Sequence, residues 1–340
     1  MSLMTKLSAK SRRTLGRKLP HCYLFLFSAI LLLAGKTFAQ AAPQPSAPPE
    51  TNNHVPTNDD EVGRNPWAEA KPYMDDSLPK LQASIPELKG LHSASSQEQL
   101  SSLLDRAGEE CADLLRRTPN VTSHEEVITV VPKPPRAGFS LESYNGIQRQ
   151  TFDYLLISHE TPNGVELREY RSVHGRPASV DVSLGVSSQG FISEWLRVYP
   201  GNRSESRFRY LGQQVIDNRQ TFVLAFAQIP GAVEFPATFT SEGVTVAILL
   251  QGVLWVDSSD FRIVRIHEDL LAPRPEVHLK KFTTTIRFAE VLIPKAASSL
   301  WLPREVDIEW NYQGQTLERH HRYSDYRLYA VNSRILPAPP

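Results

Sequence analysis

Cysteine is scarce in this 340-residue chain, which holds only Cys22 and Cys111. Cys22 lies in an N-terminal segment that we expect to be removed, so the mature chain has one cysteine and no internal disulfide. An exported fold without disulfides must rest on its hydrophobic core. Cys111 falls within a stripe of apolar residues, and we interpret it as a buried small hydrophobic side chain rather than a redox centre.

Short motifs that identify common chemistries are also missing. There is no G-x-S-x-G, H-E-x-x-H, Walker or C-x-x-C sequence. Residues 77–80 spell S-x-x-K, but they lie in a segment that we predict to be a linker, so we do not assign them as a nucleophile and its base. We therefore predict a protein that is not an enzyme and that has no cofactor and no metal site.

The N-terminal apolar run is too short to cross a bilayer comfortably. Residues 23–35 (YLFLFSAILLLAG) make a run of 13 residues, whereas a spanning helix takes about 20. The run ends just before the small-x-small sequence Ala39-Gln40-Ala41, and it follows a group of basic residues: Lys6, Lys10, Arg12, Arg13, Arg17 and Lys18. This order is typical of an export signal. We predict that residues 1–41 form a signal peptide, that cleavage follows Ala41, and that the protein is periplasmic or extracellular; an uncleaved anchor is the alternative.

The basic residues leave two export routes possible, whereas the net charge of the mature chain follows directly from the predicted cleavage. Residues 11–15 (SRRTL) resemble a twin-arginine signal, although we favour a merely basic segment. Removal of residues 1–41 leaves 30 Lys and Arg against 37 Asp and Glu, a net charge of −7. Such a surface does not attract nucleic acid or anionic lipid over long range. We predict no nucleic-acid partner and, after cleavage, no integral membrane protein.

Composition divides the mature chain into three parts. Residues 42–90 begin with a proline-rich, polar stretch that cannot bury much apolar surface, and we predict a disordered linker. Residues 95–329 form a single domain that is long enough for one core. Residues 330–340 (ILPAPP at the end) form a disordered tail.

The clearest helix covers residues 96–117. Leu100, Leu103, Leu104, Ala107, Cys111, Leu114 and Leu115 recur with helical spacing and therefore share one stripe. Ser95 and Glu98 match a capping box at its start, and Pro119 ends it. A second, short helix is predicted over residues 189–199, inside a segment from 173 to 199 that interrupts the strands.

After residue 125 the period changes from 3.6 to two. Alternation and turn residues predict nine or ten strands, among them 127–131, 148–158, 165–171, 207–215, 221–228, 244–250, 253–256, 261–267, 281–291, 304–312 and strands within 316–329. Short polar turns join most of them, and consecutive strands usually neighbour one another. We predict a mainly β (α+β) fold: a curved antiparallel sheet or half-barrel meander with the N-terminal helix packed against its apolar face.

Two motifs give this pattern a family resemblance. Residues 252–257 (GVLWVD) are followed by residues 262–265 (RIVR), and residues 300–306 read LWLPREV. This order resembles the periplasmic lipoprotein-carrier superfamily, which includes the carrier of lipoproteins to the outer membrane and a sensor domain that restrains an anti-sigma factor. A group of uncharacterised exported bacterial proteins is the closer resemblance. The resemblance implies an open half-barrel whose hydrophobic concave face holds acyl chains, and it supplies no catalytic residue.

The candidate binding site is aromatic. Many large residues fall on strands of one sheet: Phe208, Tyr210, Phe222, Phe226, Trp255, Phe282, Phe288 and Trp310. They line either a ligand cavity or a core that is simply packed beneath the helix. Sequence does not decide between a cavity and a filled core.

Polar clusters offer weaker candidates. In residues 319–322 (RHHR) adjacent side chains point to opposite faces of a strand, so the two histidines cannot hold one metal, and we interpret them as a solvated charged strand. Glu305, Asp307 and Glu309 share a face that could bind calcium, but solvent exposure explains them as well.

Three functions compete. The first is a non-enzymatic exported protein that binds a lipid or a lipoprotein acyl chain. The second is a structural or envelope-sensing module with a filled core, which works through an envelope protein partner. The third, ranked last, is a hydrolase that uses the acidic strand face. The ligand and the oligomeric state are not encoded in any motif.

Overall fold

The fold is mainly β and is built on one large antiparallel sheet. The computed structural model describes residues 66–68, 70–131, 146–161, 164–180, 190–234, 236–241, 243–296 and 298–329. These residues form an open sheet of twelve strands, a separate two-stranded hairpin and two α-helices. The predicted fold class is confirmed. The predicted signal peptide, the linker up to residue 65 and the tail 330–340 lie outside the described residues.

The described part of the chain contains fourteen strands rather than the nine or ten predicted, since several are short. In chain order they are β1 (His92–Ser93), β2 (Val121–Val131), β3 (Gly146–Thr161), β4 (Gly164–Val173), β5 (Arg176–Pro177), β6 (Ser206–Ile216), β7 (Arg219–Gln228), β8 (Ala237–Ser241), β9 (Val244–Ile248), β10 (Leu250–Asp257), β11 (Ile263–Leu270), β12 (Leu279–Val291), β13 (Leu300–Tyr312) and β14 (Gln315–Leu328). The α-helices are α1 (Leu78–Ser84) and α2 (Leu100–Arg117), and short 3-10 helices cover Tyr73–Asp75, Pro86–Leu88, Ile192–Val198, Arg203–Glu205 and Pro275–Val277.

Apart from two long crossings, from β1 to β2 and from β5 to β6, the strand order is a meander. It runs β1-β6-β7-β10-β11-β12-β13-β14-β2-β3-β4-β5, while β8 and β9 pair with each other. Strand β1 lies at one edge, whereas β2 lies in the far half of the sheet beside β14. Helix α2 connects these two strands and, with 18 residues, is about 27 Å long. It therefore carries the chain across one face of the sheet.

The register identifies the residues on that face. Residues directly opposite one another in antiparallel strands point the same way. One row of directly opposed residues crosses six strands from β7 to β14: Phe226, Gly252, Glu268, Thr284, Ile308 and Arg319. We call this side, which α2 crosses, the inner face, and the opposite side the outer face.

Helix α2 has the predicted apolar stripe but not the predicted cap. Leu103, Leu104, Ala107, Cys111, Leu114 and Leu115 are all buried. The helix begins at Leu100 after Gln99, and no side chain caps it, so the capping box was wrong. Instead, the Gln97 side chain bonds both the backbone N–H and the carbonyl of Tyr210 in β6, each at 2.8 Å. A tertiary contact thus replaces the local cap.

The predicted linker was also wrong over its last part, because residues 70–90 are folded. Leu81, Ile85 and Leu88 are completely buried, and their spacing provides an apolar stripe. Pro79 and Pro86 lie in the first turns of their helices, where proline is tolerated because the missing N–H would have no partner there. The proline content therefore does not indicate disorder in this segment.

This N-terminal cover, residues 70–91, packs on the outer face of the sheet. Gln214 in β6 donates hydrogen bonds to the carbonyl oxygens of Glu87 and Lys89, each at 2.8 Å. Tyr73 N–H donates to Gln251 Oε1 at 2.8 Å. Because α2 and its neighbours cover the inner face, the central strands are buried on both sides, and all eight residues of β10 are buried.

Motif residues 252–257 serve this packing. A Cβ at Gly252 would lie 2.5 Å from the Phe226 ring, so only glycine leaves room for that ring. Asp257 Oδ1 accepts hydrogen bonds from the backbone and hydroxyl of Ser259, and its Oδ2 pairs with Arg219 at 2.8 Å. The motif is therefore structural. No helix among the described residues is long and apolar enough to cross a membrane.

The fold generates a first prediction. Replacing Leu81 by Ala should lower the free energy of unfolding by about 2–5 kcal/mol, because it leaves a cavity between the N-terminal cover and the sheet. Lys80→Ala is the control, since its side chain is two-thirds exposed and pairs with Asp76 in a surface ion pair that contributes at most about 1 kcal/mol. Urea denaturation of both variants measures the difference. Equal stabilities would mean that this segment is not part of the folded core.

Candidate functional site

Seven of the eight candidate aromatic residues share the inner face. The register places them there on four strands, β6, β7, β12 and β13: Phe208, Tyr210, Phe222, Phe226, Phe282, Phe288 and Trp310. Phe226 and Trp310 are fully buried, whereas Phe208, Phe222 and Phe282 remain partly exposed. Phe208 and Phe226 are neighbours, with ring centroids 6.4 Å apart. The structure thus brings the predicted residues onto one surface.

Trp255 is the exception because it points to the outer face. Its Nε1 donates to Gln214 Oε1 at 2.9 Å, and the Arg265 guanidinium lies 5.8 Å from the centre of its ring. Gln214 also anchors the N-terminal cover. Trp255 therefore belongs to the core beneath that cover and not to the inner-face cluster.

A short helix covers part of the inner face beside Phe226. The predicted helix 189–199 is a 3-10 helix, Ile192–Val198, which we call the plug helix. Its apolar side chains, together with Phe191, are buried: Phe191, Ile192, Trp195, Leu196 and Val198. Helix α2 lies against it so closely that a Cβ at Gly108 would be 2.8 Å from the Val198 oxygen. The plug helix and α2 therefore cover the part of the inner face that contains Phe226, over which the Arg197 guanidinium lies 5.3 Å from the ring centre.

Two buried carboxylates fasten the plug helix to the sheet. Glu169 Oε1 in β4 accepts hydrogen bonds from the backbone N–H groups of Phe191, at 3.0 Å, and Ile192, at 3.1 Å. Arg197 forms an ion pair with Glu268 of β11. Burial raises the pKa of Glu169, and it raises the pKa of Glu268 to about 7 against the opposing effect of Arg197. The plug helix is thus attached through polar groups at two separate strands.

A second polar cluster lies on the inner face of β14, β2 and β4. Glu125 accepts hydrogen bonds from Arg171 Nη2, His321 Nδ1 and Tyr323 Oη, each at 2.8 Å. Burial alone would raise the pKa of Glu125, but the hydrogen bonds from His321 and Arg171 lower it to about 2. Burial lowers the pKa of His321 to about 4. At neutral pH the cluster therefore holds an ionised carboxylate and a neutral imidazole.

Two buried polar atoms near the plug helix have no hydrogen-bond partner among the residues that the structure describes: His321 Nε2 and Trp195 Nε1. The Phe191 ring packs edge-on against the His321 ring, with 5.0 Å between centroids, so the plug segment contacts the imidazole. An unsatisfied buried polar group costs about 1–3 kcal/mol. The interface between plug and sheet therefore contains uncompensated polar burial.

The sequence 319–322 divides between the two faces. Arg319 and His321 are 1% exposed on the inner face, whereas His320 bonds Asp307 at 2.7 Å on the outer face. The opposite orientation of the two histidines is confirmed, but the interpretation as a solvated strand was wrong for Arg319 and His321. The reason is that the inner face of β14 is covered, so its alternate side chains are buried whatever their charge.

The acidic strand face is engaged in ion pairs. Asp307 pairs with Arg287 at 2.5 Å and Glu309 with Lys281 at 2.7 Å. Among the residues that the structure describes, no group of three or more His, Cys, Asp or Glu side chains is placed to hold a metal. This face supports an outer surface of paired charges.

Sequence reasoning missed the buried charges of Glu125, Glu169, Arg171, Arg197 and Glu268. We began the first strand at residue 127, whereas β2 begins at Val121. The alternation of Val121, Ser123, Glu125 and Val127 contained a usable signal, because Glu125 falls on the apolar parity. Glu169, Arg171 and Glu268 carry the same signal, since they continue the apolar alternation of β4 and β11. Arg197 carries none, because it lies on the plug helix.

Comparisons with known proteins return no matching family model and no matching curated protein. Among solved structures, the chain is similar to a domain assigned as an outer membrane lipoprotein-sorting protein from Vibrio parahaemolyticus, with 10% identity, a TM-score of 0.37, and coverage of 68% of this chain and 95% of that chain. It is similar to a DUF1329 family protein from Desulfovibrio piger, with 11% identity, a TM-score of 0.35, and 68% and 94% coverage. It is also similar to a LolA superfamily protein from Nitrosomonas europaea, with 15% identity, a TM-score of 0.31, and 68% and 94% coverage.

The Glu125 cluster generates a prediction about pH. The unfolded chain protonates His321 near pH 6.5, whereas the folded chain does so near pH 4. This group therefore contributes stability above pH 6.5 that is lost as the pH falls through 4, at up to about 1.4 kcal/mol per pH unit. His321→Phe should flatten the dependence of unfolding free energy on pH between 6.5 and 4.

Tyr323→Phe is the matched control for this measurement. It removes another hydrogen bond to Glu125 but leaves the histidine in place. It should lower stability at every pH and keep the wild-type slope. If His321→Phe keeps that slope as well, His321 is not the buried neutral group described above.

Proposed function

We propose that this protein is a non-enzymatic, exported binding protein whose inner sheet face receives the acyl chain of a lipid or lipoprotein when the plug helix moves aside. The observation that carries the proposal is the cover over part of the inner face. A short helix lies there beside Phe226, is fastened by two carboxylates, and buries two polar atoms that have no partner among the described residues. The seven inner-face aromatic residues are the proposed ligand-binding residues.

The energetics of exchange favour an apolar ligand over water. Each buried plug side chain contributes about 1.5–3 kcal/mol, so the plug helix does not leave the sheet for solvent. An acyl chain of about fifteen methylene groups gains about 12 kcal/mol on burial, which is comparable with the five plug side chains together. Such a chain is therefore able to take the place of the plug helix on the sheet.

Unsatisfied polar burial adds to this balance. Movement of the plug helix would let Trp195 Nε1 and His321 Nε2 reach water or a ligand and would recover about 1–3 kcal/mol for each. The polar fastening by Glu169 and Arg197 opposes the movement. The proposal is therefore a competition between the plug helix and the ligand for one apolar surface.

A second candidate function is an envelope-sensing or structural module with a filled core. Complete burial of Phe226 and Trp310 favours it, since a face that is already packed needs no ligand. Its function would then depend on a protein partner. In both cases we propose that the signal peptide is cleaved after Ala41 and that the mature chain is periplasmic or extracellular.

Native mass spectrometry of the mature protein, purified from its own exporting cells, tests the two candidates. We expect the protein to have an excess mass that organic solvent removes. Lipid analysis of the extract should identify a molecule with an acyl chain. The N-terminal residue found in the same spectrum should be Ala42. A clean mass without ligand, together with a protein partner recovered by crosslinking in the envelope, would favour the filled-core module.

Loosening the plug helix tests the proposed exchange directly. Glu169→Ala removes the acceptor of two plug N–H groups and should increase hydrogen exchange of residues 191–198 about tenfold, since one lost charged hydrogen bond corresponds to about 1.5 kcal/mol or more. The same variant should bind a fluorescent fatty-acyl probe severalfold more tightly, because less energy is needed to displace the plug helix.

Glu166→Ala is the matched control for this variant. Glu166 lies on the same strand but on the other face, where it pairs with Arg168 at 3.1 Å. It should leave both the exchange and the probe affinity unchanged. If hydrogen exchange of residues 191–198 becomes faster in Glu169→Ala but the fatty-acyl probe does not bind, the proposed function is contradicted. The filled-core module would then be the remaining candidate.

A further inference from the structure

We propose that His321 Nε2 accepts a hydrogen bond from the head group of the bound ligand, so that the inner face selects neutral amphiphiles with a hydroxyl or amide N–H beside the acyl chain. This inference rests on the proposed function and names the class of ligand for that site. Two observations support it: which nitrogen of the imidazole donates and which accepts a hydrogen bond, and the row of apolar side chains that leads to His321.

The partners of Glu125 determine the tautomer of His321. The Glu125 carboxylate is ionised, and an ionised carboxylate only accepts hydrogen bonds. His321 Nδ1 lies 2.8 Å from Glu125 Oε1, so Nδ1 must carry the proton. In a neutral imidazole the other nitrogen is then an acceptor. His321 Nε2 therefore presents a lone pair.

Burial keeps the imidazole in this neutral state. The His321 side chain has no exposed surface, and its burial lowers its pKa to about 4. Arg171 and Arg319 also disfavour a positive imidazole. A head group that binds Nε2 at neutral pH must therefore donate a hydrogen. Carboxylate and phosphodiester groups offer only acceptors, so they cannot fill this position.

The surrounding side chains suit a molecule with an apolar tail. Across the inner face, His321 lies directly opposite Val306, which is opposite Ile286. The row continues through Ile266 to Leu254. All four apolar side chains are buried, and at about 4.8 Å between strands the row is about 19 Å long. An apolar row that ends in one hydrogen-bond acceptor matches an acyl chain with a neutral polar head.

The plug helix occupies this position in the present conformation. The Phe191 ring packs against the His321 ring, and no described residue gives Nε2 a hydrogen bond. The same movement that would free the aromatic face would therefore uncover the acceptor. Ligand head group and Phe191 would compete for the imidazole.

Three probes with one acyl chain test the inference on the full mature protein. Monooleoylglycerol offers hydroxyl donors, methyl oleate offers none, and oleate offers a carboxylate. Their dissociation constants are measured by displacement of the fluorescent acyl probe. We expect monooleoylglycerol to bind up to about tenfold more tightly than methyl oleate, the effect of one hydrogen bond of about 1.4 kcal/mol, and oleate to bind no better than methyl oleate.

Variants at the paired histidines assign this preference to one atom. His321→Phe should abolish the difference between monooleoylglycerol and methyl oleate. His320→Phe is the matched control, since it changes the adjacent histidine on the outer face, and it should keep the full difference. His321→Gln retains an amide donor for Glu125 and an acceptor oxygen, so it should restore part of the difference.

The outcomes separate this inference from the proposed function. Equal affinities of the wild-type protein for all three probes overturn the head-group inference but leave the acyl-chain function standing. A preference that persists in His321→Phe also overturns the inference. If none of the probes binds, even to Glu169→Ala, both are overturned.

Discussion

The structure depends on the need to cover both faces of one large antiparallel sheet. Antiparallel strands alternate their side chains, and one face of such a sheet is often left to solvent. Here the central strands β7 and β10 carry apolar side chains on both faces, and the neighbouring strand β11 is largely buried on both, so each face requires its own layer. The N-terminal cover supplies the outer layer, and α2 with the plug helix supplies the inner one. The remaining features of the molecule follow from how these layers are fastened.

The inner layer is fastened by charge rather than by apolar packing alone. A buried carboxylate is stable only when hydrogen bonds and opposite charges replace its water. Glu125 has three such partners, and its ionised form is favoured. Glu268 has Arg197, and its pKa remains raised, so it is less well compensated. Arg197 of the plug helix therefore pairs with the less well compensated of these two carboxylates.

The plug helix also explains why the aromatic surface has two interpretations. A face that contains Phe226 is a core surface while the plug helix lies on it, and under the proposed function it would become a binding surface when the helix moves aside. Both states use the same side chains, because an apolar surface does not distinguish an acyl chain from leucine or tryptophan. Polar atoms make the distinction. His321 Nε2 is unsatisfied under Phe191, and only a hydrogen-bond donor can satisfy it.

Much of the fold followed from periodicity, because period and turn chemistry are local properties. The alternation after residue 125 identified the longer strands, and the stripe of α2 identified its buried face. Local patterns failed where distant contacts decided the outcome. Residues 70–90 have a composition close to that of a linker, and they fold because the outer face of β6, β7 and β10 is available to them. The capping box gave way to a contact with Tyr210 for the same reason.

The candidate site divides along the same line. The amino-acid sequence by itself determined the strand parity, and with it the common face of seven aromatic residues and the opposite directions of His320 and His321. Only the tertiary structure decided which face is covered, and that assigned Trp255 to the outer core and made Glu125, Glu169 and His321 buried groups. The physical reason is that alternation is a property of a single strand, whereas burial, and the pKa shifts that follow from it, are properties of whatever segment packs above that strand.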